Sequence, residues 1–256
     1  MSLTKSATKS QAYGLGFISD EQLFEHVKDT VLKYRFKINL SQFNKNLLDP
    51  IKLTFDSKIY GKTIPEIIES ESIRQIDKSN TNHIGYFHQN IFKYFDGWEV
   101  PEQGFDTINS ELNIYAELKN KHNTMNSASS QKTYMKMQNK IVRDDKAVCY
   151  LVEVIAKNSQ DIPWAISLDG EKISHKNIRR VSMDKFYEIA TGDAHAFKKL
   201  CQVLPRVIDD VVVEAKLGKI ENTVFTELEN ISDDVLKSIY LLPFEQYEGF
   251  DELNFS

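Results

Sequence analysis

Apolar residues recur at helical spacing through the first hundred residues of the chain. Ser19 and Gln22 form the pattern that caps a helix N-terminus, and the apolar residues after them fall on one helix face. A short helix is predicted to open at Ile64. A further helix is predicted over 82–95, and the Gly97 that follows would end it. The first part of the chain is therefore predicted to be helical.

The pattern changes to strands in the middle of the chain. Two strands joined by a turn are predicted first, then a helix, and then a strand that is almost continuously apolar: 104–109, 112–118, 131–143 and 147–156. A strand of that last kind is typical of a sheet position buried on both faces. The order strand, strand, helix, strand, preceded by helices, predicts an α/β (α+β mixed) fold with a central mixed β-sheet flanked by helices.

Weaker signals follow this core. A further strand is indicated at 165–167, and helices are predicted over 183–190 and 194–216. Pro205 is expected to kink or split the second of these helices, because proline lacks the backbone N–H that a helix interior needs.

Composition sets few limits. The 256 residues are 41% hydrophobic and 27% charged, which is ordinary for a globular protein that stays in water. A transmembrane run and a secretory leader are both lacking in the sequence, so we expect a cytoplasmic protein. Cys149 and Cys201 lie far apart in apolar segments, which suits a reducing compartment and excludes a zinc site made of thiolates alone.

The charge distribution says more than the total. The formal net charge of −5 argues at first against a nucleic-acid partner. Acidic residues are dense from Asp209 onward, however, whereas the stretch 119–185 is rich in Lys and Arg. Removing the acidic C-terminal part leaves a basic remainder, so the overall charge decides nothing.

Three residues of the predicted hairpin carry the chemistry. Glu117 and Lys119 alternate on one strand and therefore share a face, and Asp106 lies eleven residues upstream on the preceding strand. If the two strands pair, Asp106 approaches Glu117, and two neighbouring carboxylates favour a cation between them. An oxygen-rich site of this kind suits magnesium or manganese, and Lys119 could orient a water molecule and offset developing phosphorane charge.

Glu-x-Lys alone occurs by chance, but the whole context is rarer. Asp106, Glu117 and Lys119, in the order strand, strand, helix, strand, resemble the catalytic core of the PD-(D/E)XK nucleases. Residues 82–89, 97–98, 104–106 and 116–124 further resemble type II restriction endonucleases that recognise GGNCC-type sites. The resemblance covers about 17–213, with Phe105 where the motif has a nominal proline.

The resemblance implies a Mg²⁺-dependent enzyme (Mn²⁺ could substitute) that cuts double-stranded DNA at a short palindrome. Asp106 and Glu117 would hold the metal, Leu118 is included among the metal-binding positions, and Lys119 would be the catalytic lysine. It also implies a homodimer, since a palindrome calls for two active sites, and a companion DNA methyltransferase. We expect a mobile segment at 1–16, the nuclease domain at 17–213, and an acidic segment at 214–256 that packs on the core or at a dimer interface.

Polar and basic residues that follow the strand of Glu117 and Lys119, called the active strand below, are candidates for DNA contact. A lysine stripe recurs every four residues at 132, 136 and 140 along the predicted helix, and arginine is the side chain best suited to reading guanine. The candidates are Lys121, His122, Asn123, Thr124, Ser130, Lys132, Lys136, Arg179 and Arg180, the last two within a basic cluster that includes Lys172 and Lys176. The plain alternative is a solvated helix face for the lysine stripe and a surface loop for the polar residues that follow Lys119.

Several other assignments stay open at this point. Glu153 and the upstream Glu66, Glu69 and Glu71 are further acidic candidates, although such glutamates are more often solvated or paired with a cation. His122 raises a histidine-based ββα-metal nuclease, for which suitably spaced ligands are lacking. The remaining alternatives are a repair or structure-specific PD-(D/E)XK nuclease, a non-catalytic DNA-binding protein of that fold, and a metalloenzyme that does not act on nucleic acid.

Overall fold

A computed structural model describes residues 12–46, 48–122, 125–168, 170–217 and 220–246. The helices within these residues are α1 (Asp20–Val31), α2 (Leu40–Asn44), α3 (Pro50–Tyr60), α4 (Ile64–Asn90), α5 (Ser127–Arg143), α6 (Met183–Thr191), α7 (Ala196–Ala215), α8 (Val224–Glu229) and α9 (Val235–Phe244). The strands are β1 (Lys37–Ile38), β2 (Thr107–Asn109), β3 (Ile114–Lys121), β4 (Val148–Ile155), β5 (Asp161–Leu168), β6 (Glu171–Ser182) and β7 (Glu221–Asn222). The chain divides into two compact units, the first made of 1–32 with 84–215 and the second of 33–83 with 216–256.

The first unit is built on a five-stranded sheet in the order β2-β3-β4-β6-β5. Strands β3, β4 and β6 run parallel, whereas β2 pairs with β3, and β5 with β6, in antiparallel fashion. The expected central mixed sheet flanked by helices is therefore confirmed.

The two faces of this sheet are covered by different helices. On one face, Ala116, Tyr150, Val152 and Val181 belong to a buried cluster with residues of α1, α6 and α7. On the other face, Cys149, Leu151 and Ile178 pack with three residues of α5: Tyr134, Met137 and Ile141. Glu117, Lys119 and Glu153 alternate with the first set of strand residues, so they lie on the face that α5 covers.

The second unit has its own small core. β1 and β7 pair in parallel, which joins residues from both segments of the unit. Ile38, Phe43, Ile68, Val224 and Ile239 are buried together there. The C-terminal residues expected only to be acidic thus include a strand and two helices in the described part.

Local sequence accounts for the first helix and misjudges the fourth. The predicted cap is confirmed, because the Ser19 hydroxyl accepts from the Gln22 backbone and the Gln22 side chain from that of Ser19. The short helix at Ile64 was wrong, since α4 continues to Asn90 and is followed by a 3-10 turn at 91–94. Between Pro65 and Gly85 the sequence contains neither proline nor glycine, so nothing interrupts the helix.

Other boundaries differ from the predictions for equally local reasons. Helix α5 begins at Ser127 instead of 131, because the Asn126 side chain caps it by accepting from Ser129 N–H. Strand β2 is limited to Thr107–Asn109. Helix α7 runs continuously through Pro205, so of the kink or split expected there, the split is absent. None of the helices in the described residues combines the length and apolar character that crossing a bilayer requires.

Candidate active site

Pairing of β2 with β3 brings Asp106 next to Glu117. Thr107 faces Ala116 in the antiparallel register, and the Asp106 backbone N–H donates to the Ala116 carbonyl at 3.0 Å. Asp106 therefore stands opposite Glu117, one step beyond the last paired residue of β2. The closeness that the hairpin spacing predicted for these two carboxylates is found in the structure.

The Asp106 carboxylate also touches the main chain of Leu118. Asp106 Oδ2 accepts the Leu118 N–H at 2.7 Å, and the Asp106 carbonyl accepts a hydrogen bond from Gln89 Nε2 at 3.1 Å. The N–H and carbonyl of one strand residue point to the same side, so the Leu118 carbonyl faces the edge that β2 leaves free beyond Thr107. Two carboxylates and one main-chain carbonyl thus converge at the end of the hairpin.

Glu117 is a buried carboxylate, only 8% exposed. Burial raises the pKa of Glu117, and the negative charge of Asp106 raises it further, whereas Lys136 and Lys119 act in the opposite direction. Burial and a like charge both disfavour the ionised form, so Glu117 is a group that a nearby cation stabilises.

Lys119 lies on the same face as Glu117 and beside a second buried carboxylate. Its partner in the parallel register is Glu153, which is 1% exposed. Within the described part of the chain, Lys119 Nζ makes no ion pair, so its half-buried ammonium is available to a ligand. Glu153 forms its ion pairs with other side chains and not with Lys119.

Glu153 is held by two side chains that were predicted as DNA contacts. Arg180 Nε and Nη2 donate to Glu153 Oε1 at 2.9 and 2.6 Å, and His122 Nδ1 lies 3.1 Å from both Glu153 oxygens. The carboxylate thus orients His122 at the end of the active strand. Because His122 Nδ1 contacts Glu153, this atom is not free to bind a metal or a water molecule. The geometry therefore does not favour the histidine-based nuclease alternative.

The lysines of α5 line a groove beside the carboxylates. Lys136 Nζ contacts Glu117 Oε1 and donates to the Gly104 carbonyl at 2.6 Å, and it lies 4.6 Å from the Phe105 ring centroid. Lys140 Nζ lies over the Tyr115 ring at 4.1 Å. The groove has a volume of about 500 Å³, and its lining residues are mostly basic: Phe105, Lys132, Met135, Lys136, Asn139, Lys140 and Arg143.

The structure separates the two candidate arginines. Arg180 faces Leu151 in the register and shares the sheet face of Glu117, whereas Arg179 faces Tyr150 on the opposite face. Arg179 Nε donates to Asp161 Oδ1 at 2.6 Å. The arrangement therefore brings Arg180, and not Arg179, to the face of the active strand.

The other candidates fall in different places. Lys121 and His122 lie where β3 ends, Ser130 is in the first turns of α5, and Asn123 and Thr124 lie outside the described residues. The upstream glutamates belong to the second unit, where Glu66 accepts from Thr63 and Glu71 pairs with Arg74.

The donor set fits a site for a hard divalent cation that keeps water or substrate among its ligands. It does not fit a site in which protein side chains alone surround the metal. Mg²⁺ in proteins is usually bound by one or two carboxylates, with water and substrate phosphate completing its shell. Asp106, Glu117 and the Leu118 carbonyl match that pattern. The described residues contain no group of three or more His, Cys, Asp and Glu side chains that could hold a metal alone, as a structural zinc site would require.

Sequence reasoning missed one residue and one strand of this candidate site, Gln89 and β6. Gln89 lies within the helix predicted over 82–95, and its hydrogen bond to the Asp106 carbonyl depends on a contact between that helix and the hairpin that the sequence does not reveal. Strand β6, which carries the candidate Arg180, was not predicted, because its few apolar residues, Ile173, Ile178 and Val181, do not alternate regularly with its polar and charged residues. For Glu153, its position inside an apolar strand was the one available signal.

Comparison with known proteins adds an independent finding. Residues 15–213 match the family described as Eco47II restriction endonuclease. The type II restriction enzyme Sau96I of Staphylococcus aureus is 32% identical over 218 residues, which cover 80% of this chain and 83% of that enzyme. The type II restriction enzyme Eco47II of Escherichia coli is 31% identical over 218 residues, which cover 80% of this chain and 90% of that enzyme.

Proposed function

Since the chain belongs to the Eco47II restriction endonuclease family and is a type II restriction enzyme, a site-specific deoxyribonuclease, we propose that Asp106, Glu117 and Lys119 form its Mg²⁺-dependent active site. The observation that carries this proposal is that the Asp106 carboxylate accepts the Leu118 N–H and lies near enough to the buried Glu117 carboxylate to raise its pKa. Lys119 extends from the same strand face. We further propose that the sheet is the core of a PD-(D/E)XK nuclease domain spanning 17–213.

The metal would be held by Asp106, Glu117 and the Leu118 carbonyl, and Mn²⁺ could replace Mg²⁺ there. When bound, the ion supplies positive charge at the scissile phosphate and makes a coordinated water more acidic. Without it, the buried Glu117 and its neighbour Asp106 repel each other, which is the property expected of a site built for a cation.

Lys119 orients the attacking water and stabilises the charge that develops on the phosphate oxygens. The water releases a proton to the surrounding solvent as its oxygen bonds to phosphorus, one phosphorus–oxygen bond of the DNA strand breaks, and the departing oxygen takes up a proton from solvent. Because the Lys119 ammonium has no ion-pair partner in the described residues, it does not have to leave a carboxylate before acting. The ammonium is thus arranged before the substrate arrives.

DNA contacts would surround this strand. The proposed phosphate contacts are the lysines that line the α5 groove, Lys132 and Lys136, because electrostatic contacts to the backbone supply most non-specific affinity. Residues proposed to touch bases or backbone after β3 are Lys121, His122, Asn123, Thr124 and Ser130. Of the two arginines, Arg180 is the one on the sheet face of Glu117 and is proposed to contact DNA near the active site. Any DNA contact by Arg179 is proposed to lie on the other face of the sheet.

A palindromic target calls for two active sites related by a two-fold axis. We therefore propose a homodimer, a target of GGNCC type, and a companion methyltransferase that protects the same sequence. The motifs at 82–89, 97–98 and 116–124 support that specificity. The acidic segment at 214–256 is proposed to pack on the core or at the dimer interface.

The test is a digest of a fully sequenced plasmid with Mg²⁺, followed by sequencing of the ends. Discrete fragments whose ends all fall at one short palindrome are expected. Reactions with a chelator, and with Glu117→Gln that has the same circular dichroism spectrum as the wild type, are the controls. Full activity of the Glu117→Gln protein would contradict the proposed site, and ends scattered over unrelated sequences would contradict the proposed sequence specificity.

A further inference from the structure

Lys136 occupies the position beside the carboxylates where a cation would be expected. Its Nζ contacts Glu117 Oε1, donates to the Gly104 carbonyl at 2.6 Å, and lies over the Phe105 ring. Gly104 and Phe105 directly precede Asp106 in the chain. A single ammonium group from α5 thus joins the two segments that carry the proposed metal ligands.

The charges explain why an ammonium stands there. Glu117 is buried and adjacent to Asp106, so two negative charges share a poorly solvated place. Lys136 is the nearest cation opposing this charge, acting through both a hydrogen bond and its field. The ammonium and a divalent cation would compete for the same Glu117 oxygen.

We propose that Lys136 is a built-in counter-ion of Glu117, which a divalent metal must displace and which then binds a DNA phosphate. This inference rests on the proposed active site. Lys136 would be a positioning residue that couples the two ligands: metal entry releases the ammonium toward the groove, and a phosphate in the groove draws the ammonium away from Glu117. Metal binding and DNA binding would therefore strengthen each other, as linkage requires.

The place of Lys136 in the lysine stripe makes the exchange feasible. Its side chain is 36% exposed, and its flexible stem ends in the groove that Lys132 and Lys140 also line. Moving the ammonium from Glu117 to a phosphate in that groove needs rotation of the side chain alone. Lys140 does not share this role, because its Nζ lies over the Tyr115 ring.

The experiment measures Mn²⁺ affinity of the full chain without DNA, by the loss of the free Mn²⁺ electron paramagnetic resonance signal. Lys136→Met and Lys136→Gln are expected to bind Mn²⁺ at least about tenfold more tightly than the wild type, because the competing charge is gone. Lys140→Met, one turn further along the same helix face, removes an equal charge without freeing Glu117. Its Mn²⁺ affinity is expected to stay within about twofold of the wild type.

A second arm adds a duplex of the target sequence in which a methylene group replaces the leaving bridging oxygen of the scissile linkage, so that the negative charge is kept and the bond cannot be hydrolysed. The duplex is expected to tighten Mn²⁺ binding more in the wild type than in Lys136→Met, since the variant has no ammonium to transfer. Unchanged or weaker Mn²⁺ binding by both Lys136 variants without DNA would overturn the inference, whatever the cleavage assay shows. If Glu117→Gln binds Mn²⁺ as well as the wild type, the metal site itself is wrong and the inference falls with it, whereas scattered plasmid ends would overturn only the sequence specificity.

Discussion

Lys119 and Glu153 face each other across the parallel strands β3 and β4, so the proposed catalytic lysine stands beside a carboxylate that is only 1% exposed. That carboxylate is neutralised by Arg180 and bonded to His122 instead of pairing with Lys119. The arrangement leaves the Lys119 ammonium for a substrate while it fixes His122 at the strand end. Glu153 therefore supports the site without belonging to the proposed metal ligands.

Glu153→Gln is expected to destabilise the protein. The amide keeps the shape but removes the charge that Arg180 and His122 depend on, and breaking a buried ion pair from one side costs about 3–5 kcal/mol. Urea denaturation followed by circular dichroism measures the free energy of unfolding.

The matched control is Asp161→Asn, which removes one carboxylate of the more exposed pair with Arg179 on the opposite sheet face. A loss of about 1 kcal/mol or less is expected there. In a double-mutant cycle, Glu153→Gln and Arg180→Met should be strongly coupled. Additive losses would show that the Glu153–Arg180 pair contributes nothing of its own.

Substitutions of the three proposed catalytic residues are expected to slow DNA cleavage and to leave DNA binding intact. Asp106→Asn, Glu117→Gln and Lys119→Met are each expected to slow single-turnover cleavage by at least about 10²- to 10³-fold, because each removes a charge used in the transition state. Duplex binding, measured by fluorescence anisotropy with Ca²⁺ in place of Mg²⁺, should remain. A variant among them that still cuts at the wild-type rate would remove its residue from the catalytic set.

Gln89 is expected to act on cleavage through Asp106. Gln89→Leu removes the hydrogen bond to the Asp106 carbonyl, and the loss of one such bond corresponds to a roughly tenfold slower single-turnover rate. The control is Gln131→Leu, which removes a comparable bond of 3.0 Å to the Ser167 carbonyl. Equal effects of the two variants would speak against a positioning role for Gln89.

Lys132 tests the basic groove separately from the chemistry. Lys132→Gln is expected to weaken binding of all duplexes alike and to lower the slope of log K against log salt by about one. Lys198→Gln is the control, because this exposed lysine lies on α7, which packs on the other face of the sheet. Loss of affinity for the target duplex alone would instead assign Lys132 to base recognition.

Sequence reasoning recovered what depends on neighbours along the chain. The alternation of a strand places Glu117 and Lys119 on one face, and a short hairpin pairs the strand end at Asp106 with the strand of Glu117. The closeness of these three residues was therefore predictable. Gln89 and Arg180 reach the site through contacts between elements far apart in sequence. Strand β6 was missed because its sequence contains many charged residues and shows no regular alternation of apolar and polar positions. It forms a strand because it pairs with β4 on one side and with β5 on the other.

His26 is a buried histidine on α1 that the proposed chemistry does not use. It is 2% exposed, its Nε2 lies 2.9 Å from the Phe87 carbonyl, and its ring stacks on Phe87 at 4.6 Å. Burial lowers the pKa of His26 to about 4, the Phe87 carbonyl opposes that shift, and the charge of Lys93 adds to it. The folded protein therefore keeps this imidazole neutral at pH values where the unfolded chain protonates it.

The contribution of His26 to stability should be present in full above pH 6.5 and should decline as the pH falls from 6.5 toward 4, because the unfolded state then binds the extra proton. The loss amounts to at most about 3 kcal/mol. Urea denaturation at several pH values should show that His26→Gln, which keeps a donor for the Phe87 carbonyl, declines less steeply in this window than the wild type. His195→Gln, at an exposed position on the same unit, should decline as the wild type does. If the His26→Gln protein shows the wild-type pH dependence, then the folded wild-type protein protonates the His26 imidazole in this pH range. Protonation would occur either in the buried position or after the side chain has moved into contact with water.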